Sequence, residues 1–274
     1  MDTKDRQILY LFNRRSLYIG KLLDILTFSK ACSLLVVSLG DPVKLIEKKS
    51  GSNMSAISLL IPAGAEVSVD AGNQVVAIYM LDVLGEDFKV LQSKPYMNRF
   101  SGGGVNCHWG LENEESLRTI FNQIHNKKPS SNRVFALLKD VIGRHELGLN
   151  IRADQRVKKA VAYICKNGDR NPSIDELAEH VCLSVSYLNQ LFKKTTGSSI
   201  QYIRAWYRLY RVATFCGEGV SLSDAILKEE FSNYSQFSRS YEDVVGIPLY
   251  NMFSENREIN IVTMNNENLC PQLI

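Results

Sequence analysis

The sequence predicts an α+β chain of two domains. A β-rich N-terminal domain closes with helices, and an all-α C-terminal domain holds two helix-turn-helix units joined by a long helix. Three observations carry this. Between Ala31 and Leu81, short β-branched segments alternate with Gly, Pro and Asn turns. From Asp154 onward, apolar residues recur at intervals of three and four. Within that second half, the order of capped helix, tight turn and helix occurs twice. The composition of 274 residues, 45% hydrophobic and 22% charged, supplies two cores and excludes a disordered chain.

Taken in order, residues 1–30 read as partly helical, with Leu9, Leu11, Phe12, Leu22, Leu23 and Leu26 scattered among charges. Strands follow at 33–39, 43–47, 55–61, 66–69 and 75–81, a spacing that suits a small sandwich or barrel. Ser101-Gly102-Gly103-Gly104 is a flexible corner, without the spacing and Lys of a phosphate loop. Amphipathic helices are expected at 114–125 (Leu117, Ile120, Phe121, Ile124) and 133–146 (Val134, Leu137, Leu138, Val141, Ile142). Residues 148–154 read as a linker, so the domains are set at 1–148 and 154–254, with a flexible tail over 255–274.

In the second half, Val157, Val161 and Ile164 form the first apolar stripe. Ser173 with Glu176 is a capping box, and Ser184 caps the next helix, whose Leu188, Leu191 and Phe192 face inward. A long helix from Ile200 to Phe215 carries Arg204, Arg208 and Arg211. Ser221 with Asp224 opens the second unit, and a last helix buries Phe237, Tyr241 and Val244 before Gly246-Ile247-Pro248 stops it. Charge divides unevenly between the units. Residues 152–216 hold eleven Lys/Arg against five Asp/Glu, whereas 217–253 hold two against six. Phosphate backbones favour the first stretch.

Several function classes fall away. No apolar run approaches the roughly 18 residues of a membrane span, and the N-terminus has no secretory core, so a cytoplasmic location is expected. The six cysteines match no zinc spacing and read as reduced thiols. The four histidines (His108, His125, His145, His180) lie outside the strand region, which argues against a metal-dependent enzyme site. No catalytic residue, metal or cofactor is expected.

The run SIDELAEHVCLSVSYLNQLFKKTTG (173–197), Arg208-Leu209 and the run FSNYSQFSRSYEDVVGIP (231–248) resemble the AraC/XylS family of bacterial regulators. The resemblance covers about a hundred residues. It implies a sequence-specific transcription regulator whose long helix holds two recognition helices roughly 34 Å apart, one turn of DNA. It places Ser186, Asn189 and Gln190 of the first unit, and Tyr234, Ser235 and Arg239 of the second, at base edges. It places Lys193, Lys194, Arg204 and Arg208 on phosphates. The chain departs from the family at Glu230, where a turn Gly is usual, at Glu242 and Asp243, usually basic, and at Ile203, usually Tyr. The acids lead us to expect that the first unit supplies most of the DNA affinity.

The Leu60-Ile61-Pro62-Ala63-Gly64 turn between strands looks like that of the cupin-like domain preceding the DNA-binding half in this family. The resemblance implies an activator that contacts RNA polymerase and answers to a small-molecule effector. Lys21, Lys44, Lys48, Arg99 and His108 are the candidate contacts for an acidic one. The helices at 114–146 would form a homodimer face or pack on their own β-domain. Two rivals remain open at this point: control by a protein partner, such as a chaperone or anti-activator, and an enzyme with an appended DNA-binding module. An enclosed polar pocket would favour the small molecule; a filled barrel with an exposed apolar patch would favour the protein.

Overall fold

The computed structural model describes residues 7–12, 14–22, 25–27, 31–93, 98–102, 105–142, 153–167, 170–247, 249 and 259–264. The N-terminal half is a sandwich of two sheets. The larger has eight strands in the order β10-β11-β7-β4-β9-β2-β1-β12, and the smaller has four in the order β3-β8-β5-β6. Their ranges are β1 Gln7–Phe12, β2 Arg15–Lys21, β3 Leu26–Thr27, β4 Leu34–Ser38, β5 Val43–Glu47, β6 Asn53–Ala56, β7 Ser58–Ile61, β8 Val67–Asp70, β9 Val75–Met80, β10 Asn98–Gly102, β11 Val105–Trp109 and β12 Ile259–Thr263. The pairings are antiparallel except that of β1 with β12, which is parallel.

The larger sheet is covered on both faces. Leu9, Leu11, Val36, Ile78 and Met80 point to one core, and Ile8, Tyr10, Phe12, Val37 and Tyr79 to another. The second core is closed by α1 (Asp87–Gln92), α2 (Glu114–Lys127) and α3 (Ser131–Ile142). Leu117, Phe121, Ile124, Val134 and Leu138 are buried there. These residues of α2 and α3 therefore pack on their own sheet. Ser58 fixes the start of α2, its hydroxyl donating to Glu114 Oε1 at 2.6 Å. A buried ion pair anchors α1: Arg15 donates to Asp87 from Nε at 2.6 Å and Nη2 at 2.9 Å.

Three sequence expectations are corrected. Residues 7–12 and 15–21 are strands, not helix. Each lies between two apolar layers, so no polar alternation marks it. The segment 55–61 is divided between β6 and β7, which belong to different sheets. Ser101 and Gly102 of the glycine corner belong to β10, and Gly103 and Gly104 lie outside the described residues. The tail is not wholly flexible, because 259–263 form β12. Most of the expected linker at 148–154 lies outside the described residues.

The C-terminal half contains α4 (Gln155–Lys166), α5 (Ile174–His180), α6 (Val185–Thr196), α7 (Ile200–Gly217), α8 (Leu222–Lys228) and α9 (Tyr234–Val245). The two halves share cores. Leu84, only 1% exposed, inserts from the N-terminal domain among Val157, Val161, Leu177, Leu188 and Phe192 of the first unit. Phe231, Phe237, Tyr241 and Val245 of the second unit join the core of the sandwich itself.

Candidate nucleic-acid interface

Each helix-turn-helix unit is built from the same local devices. In the first, the Ser173 hydroxyl accepts from the Glu176 N–H at 3.1 Å, and the Ser184 hydroxyl from the Tyr187 N–H at 3.2 Å. In the second, Ser221 accepts from Asp224 at 3.1 Å and Asn233 from Gln236 at 2.9 Å. These caps satisfy amides that a helix start leaves free. Glu176 reciprocates as the capping box expects, its carboxylate accepting from the Ser173 backbone N–H, and it has further partners. Its carboxylate accepts from the Tyr163 hydroxyl at 2.7 Å and pairs with Arg170 at 2.6 Å.

The turns match as well. Cys182 (φ 55°) and Glu230 (φ 58°) both adopt the left-handed conformation. The following residue then bonds back five positions, Leu183 N–H to Ala178 O and Phe231 N–H to Ile226 O. This explains why Gly would suit position 230.

The recognition helices α6 and α9 each have twelve residues and end on a left-handed glycine, Gly197 or Gly246. Alignment from cap to cap sets Ser186 opposite Ser235 and Gln190 opposite Arg239. The exposed pair Lys193-Lys194 falls opposite the exposed pair Glu242-Asp243. Leu188 and Phe192 of α6 face inward, as do Phe237, Tyr241 and Val244 of α9. Ser186, Gln190, Lys193 and Lys194 lie in solvent, with Asn189 half-buried. Tyr234, Ser235 and Arg239 are exposed on α9. Each helix therefore presents a polar outer face to solvent.

Arg204 and Arg208 are turned inward. Arg204 Nη2 donates to Asn171 Oδ1 at 3.0 Å. Arg208 donates to the Glu229 carbonyl from Nε at 3.2 Å and from Nη2, and its guanidinium lies 4.0 Å from the Phe231 ring centre. Arg211 Nε reaches Glu229 Oε1 at 2.6 Å, and Glu229 is buried. These arginines fasten α7 to the turns of the two units, whereas Lys193 and Lys194 stand exposed. Burial lowers the affinity of Arg204 and Arg208 for their protons.

Sequence reasoning missed Tyr187. It is 44% exposed on the face of α6, with the Arg156 guanidinium 5.5 Å from its ring centre. Its place one position after Ser186 could have signalled it. The five effector candidates are not brought together, and Lys48 follows directly on β5 of the smaller sheet. Arg99 and His108 are cross-strand partners on β10 and β11. Lys21 ends β2, four strand spacings from β11, about 19 Å away at ~4.8 Å per strand. Lys44 lies opposite Asp70 in the other sheet. His108 is buried and bonds Gln92 at 2.9 Å.

A small apolar cavity of about 30 Å³ lies between the larger sheet and the second unit. Leu9, Leu11, Ser16 and Met80 form one wall, and Trp206, Leu209, Tyr210, Ala213, Tyr241 and Val245 the other. The buried Ser16 hydroxyl has no hydrogen-bond partner among the described residues.

A helix-turn-helix domain family model matches residues 177–253. No curated protein matches the chain by sequence. Among solved structures, an apo variant of ToxT from Vibrio cholerae is similar at 11% identity and a TM-score of 0.56, over 86% of this chain and 96% of that one. Wild-type ToxT with a bound unsaturated fatty acid is similar at 13% identity and 0.54, over 89% and 96%. ToxT bound to (E)-4-(8-methylnaphthalen-1-yl)but-3-enoic acid is similar at 13% and 0.52, over 85% and 95%. Fold and site together define a DNA-binding transcription regulator. Its helical half holds the helix-turn-helix domain, and a β-rich domain lies ahead of it in the fold that ToxT shares.

Proposed function

We propose that the chain is a promoter-binding activator whose DNA affinity is set by a small apolar effector held between its two halves. The observation that carries this is the cavity walled by the sheet on one side and by α7 and α9 on the other, with the unpaired Ser16 hydroxyl among its lining residues. A volume of about 30 Å³ has room for a water, which needs only ~10–15 Å³. A larger ligand that enters between these walls would press α7 and α9 away from the sheet. Occupancy then reaches the second recognition helix directly. The acids bound to ToxT are of a size that would demand such opening. In this reading the effector meets apolar walls, not the dispersed Lys21, Lys44, Arg99 and His108.

Output follows from promoter occupancy and contact with RNA polymerase, with α6 supplying most of the grip on DNA. Control by a protein partner is less well supported. Among the described residues, the large exposed apolar side chains are dispersed: Tyr187, Leu227 and Tyr234 lie on α6, α8 and α9, and Ile25 just ahead of β3.

The test is selection of bound duplexes from a random library, followed by affinity measurements with and without long-chain fatty acids. The Ala213→Phe variant fills the cavity and should keep DNA binding while losing the ligand response. An undiminished response in that variant would refute the site.

A further inference from the structure

The chain passes from the regulatory sheet through both DNA-binding units and then returns to the sheet. Strand β12 lies parallel to β1 at its edge, in register from Gln7↔Ile259 to Leu11↔Thr263. The Met264 N–H adds a bond to Leu11 O at 3.1 Å. Its side chains serve both layers. Ile259 and Ile261 pack on the core shared with α7 and α9, while Val262 and Met264 pack on the core beneath α2 and α3. The last residue of α7 meets the strand so closely that only glycine fits. A Cβ on Gly217 would stand 2.6 Å from Thr263 Cγ2 and 3.0 Å from Ile261 Cγ2.

We infer that β12 is a positioning clasp for the second reading unit. It ties the C-terminal end of α7, where α8 and α9 are hung, to the edge of the regulatory sheet. The partners of β12 are themselves cavity residues: Leu9 pairs with Ile261 and Leu11 with Thr263. The clasp thus joins the strand that would sense an effector to the helix that carries the response. It does not block the reading face, because Tyr234, Ser235 and Arg239 are exposed with the strand in place. A positioning role follows from that exposure; an autoinhibitory one would need the face covered. The nine residues from 250 to 258 span at most about 30 Å at ~3.3 Å each, so the strand is held near its groove even when unpaired.

The test is amide hydrogen exchange on the full-length protein and two variants, Gly217→Ala and a chain ending at residue 258. Gly217→Ala leaves the tail intact and favours helix, so a loss there reports the clasp and not α7 itself. In both variants, exchange over 209–217 and 234–245 should quicken tenfold or more, while 155–196 keeps its rates. A peptide of residues 257–266 added to the truncated chain should restore protection. This readout needs no DNA and no effector, so it stands apart from the activator reading. On duplexes selected by the full-length protein, the truncated chain should bind no more tightly than to the first half-site alone. Unchanged exchange over 209–217 and 234–245 would overturn the inference. So would acceleration spread equally over 155–196, or tighter DNA binding by the truncated chain, which would make β12 an inhibitor.

Discussion

Replacing Lys193 and Lys194 by glutamine should remove two phosphate contacts from the first unit without disturbing its fold. Both side chains are exposed at the end of α6, beyond the inward-facing Leu188 and Phe192. Each contact contributes about 0.9 to the slope of log affinity against log salt, so the slope should fall in magnitude by about 1.8. Between 50 and 200 mM salt, a fourfold change, the parent should lose about twelvefold more affinity than the variant. Fluorescence anisotropy on a selected duplex at four salt concentrations measures this. The cap-to-cap equivalents in the second unit should behave in the opposite sense. Glu242→Gln with Asp243→Asn should raise affinity, because acids near a backbone repel it. Those acids also sit at a helix C-terminus, where they cost ~0.3–1 kcal/mol each, so this variant should be more stable too. An unchanged salt slope in the lysine variant would refute the assignment. A loss from Arg239→Ala as large as that from both lysines together would refute the dominance of the first unit.

Four further outcomes are expected. Asp87→Asn leaves Arg15 buried without its bidentate partner and should destabilise by ~3 kcal/mol or more in urea denaturation; a change below 1 kcal/mol, roughly the worth of an exposed ion pair, would show that Asp82 neutralises Arg15 alone. Glu230→Gly relieves a left-handed φ of 58° and should raise the midpoint of thermal unfolding by a few degrees, as a gain of about 1 kcal/mol would. Leu84→Ala should cost about 2–5 kcal/mol and loosen the first unit from the regulatory domain, read as faster exchange across 157–164. The last concerns pH. Burial, and then Arg99, hold His108 below its usual 6.5, so the fold favours the neutral ring. Its contribution is full above 6.5 and is lost as pH falls below it. His108→Gln should flatten stability between pH 7.5 and 5.5, and an identical acid slope would remove His108 from the account.

The helical half was legible because its signals are local. Caps such as Ser173 and Ser184, the spacing of Leu188 and Phe192, and the stop at Gly246 act within a few residues, so each can be read in a short window. The polar outer faces of α6 and α9 followed from the same periodicity. The N-terminal strands were harder. In β1, Ile8, Tyr10 and Phe12 face one core while Leu9 and Leu11 face the other, so the segment is apolar throughout and shows no period of two. A short apolar run of that kind does not distinguish strand from helix.

The two helix-turn-helix units, their polar outer faces and the charge reversal between Lys193-Lys194 and Glu242-Asp243 are properties of neighbouring residues and can be read along the chain. Which polar groups are spent internally depends on partners brought together by folding. Arg204 and Arg208 look like phosphate ligands in the sequence, but Asn171 and the Glu229 carbonyl, 33 and 21 positions away, occupy them. Likewise, Ile259–Thr263 is an unremarkable piece of tail until β1, some 250 residues earlier, supplies the ladder that makes it a strand. A backbone edge offers its hydrogen bonds to any segment that can reach it, and which segment arrives is settled by the packing of the whole chain.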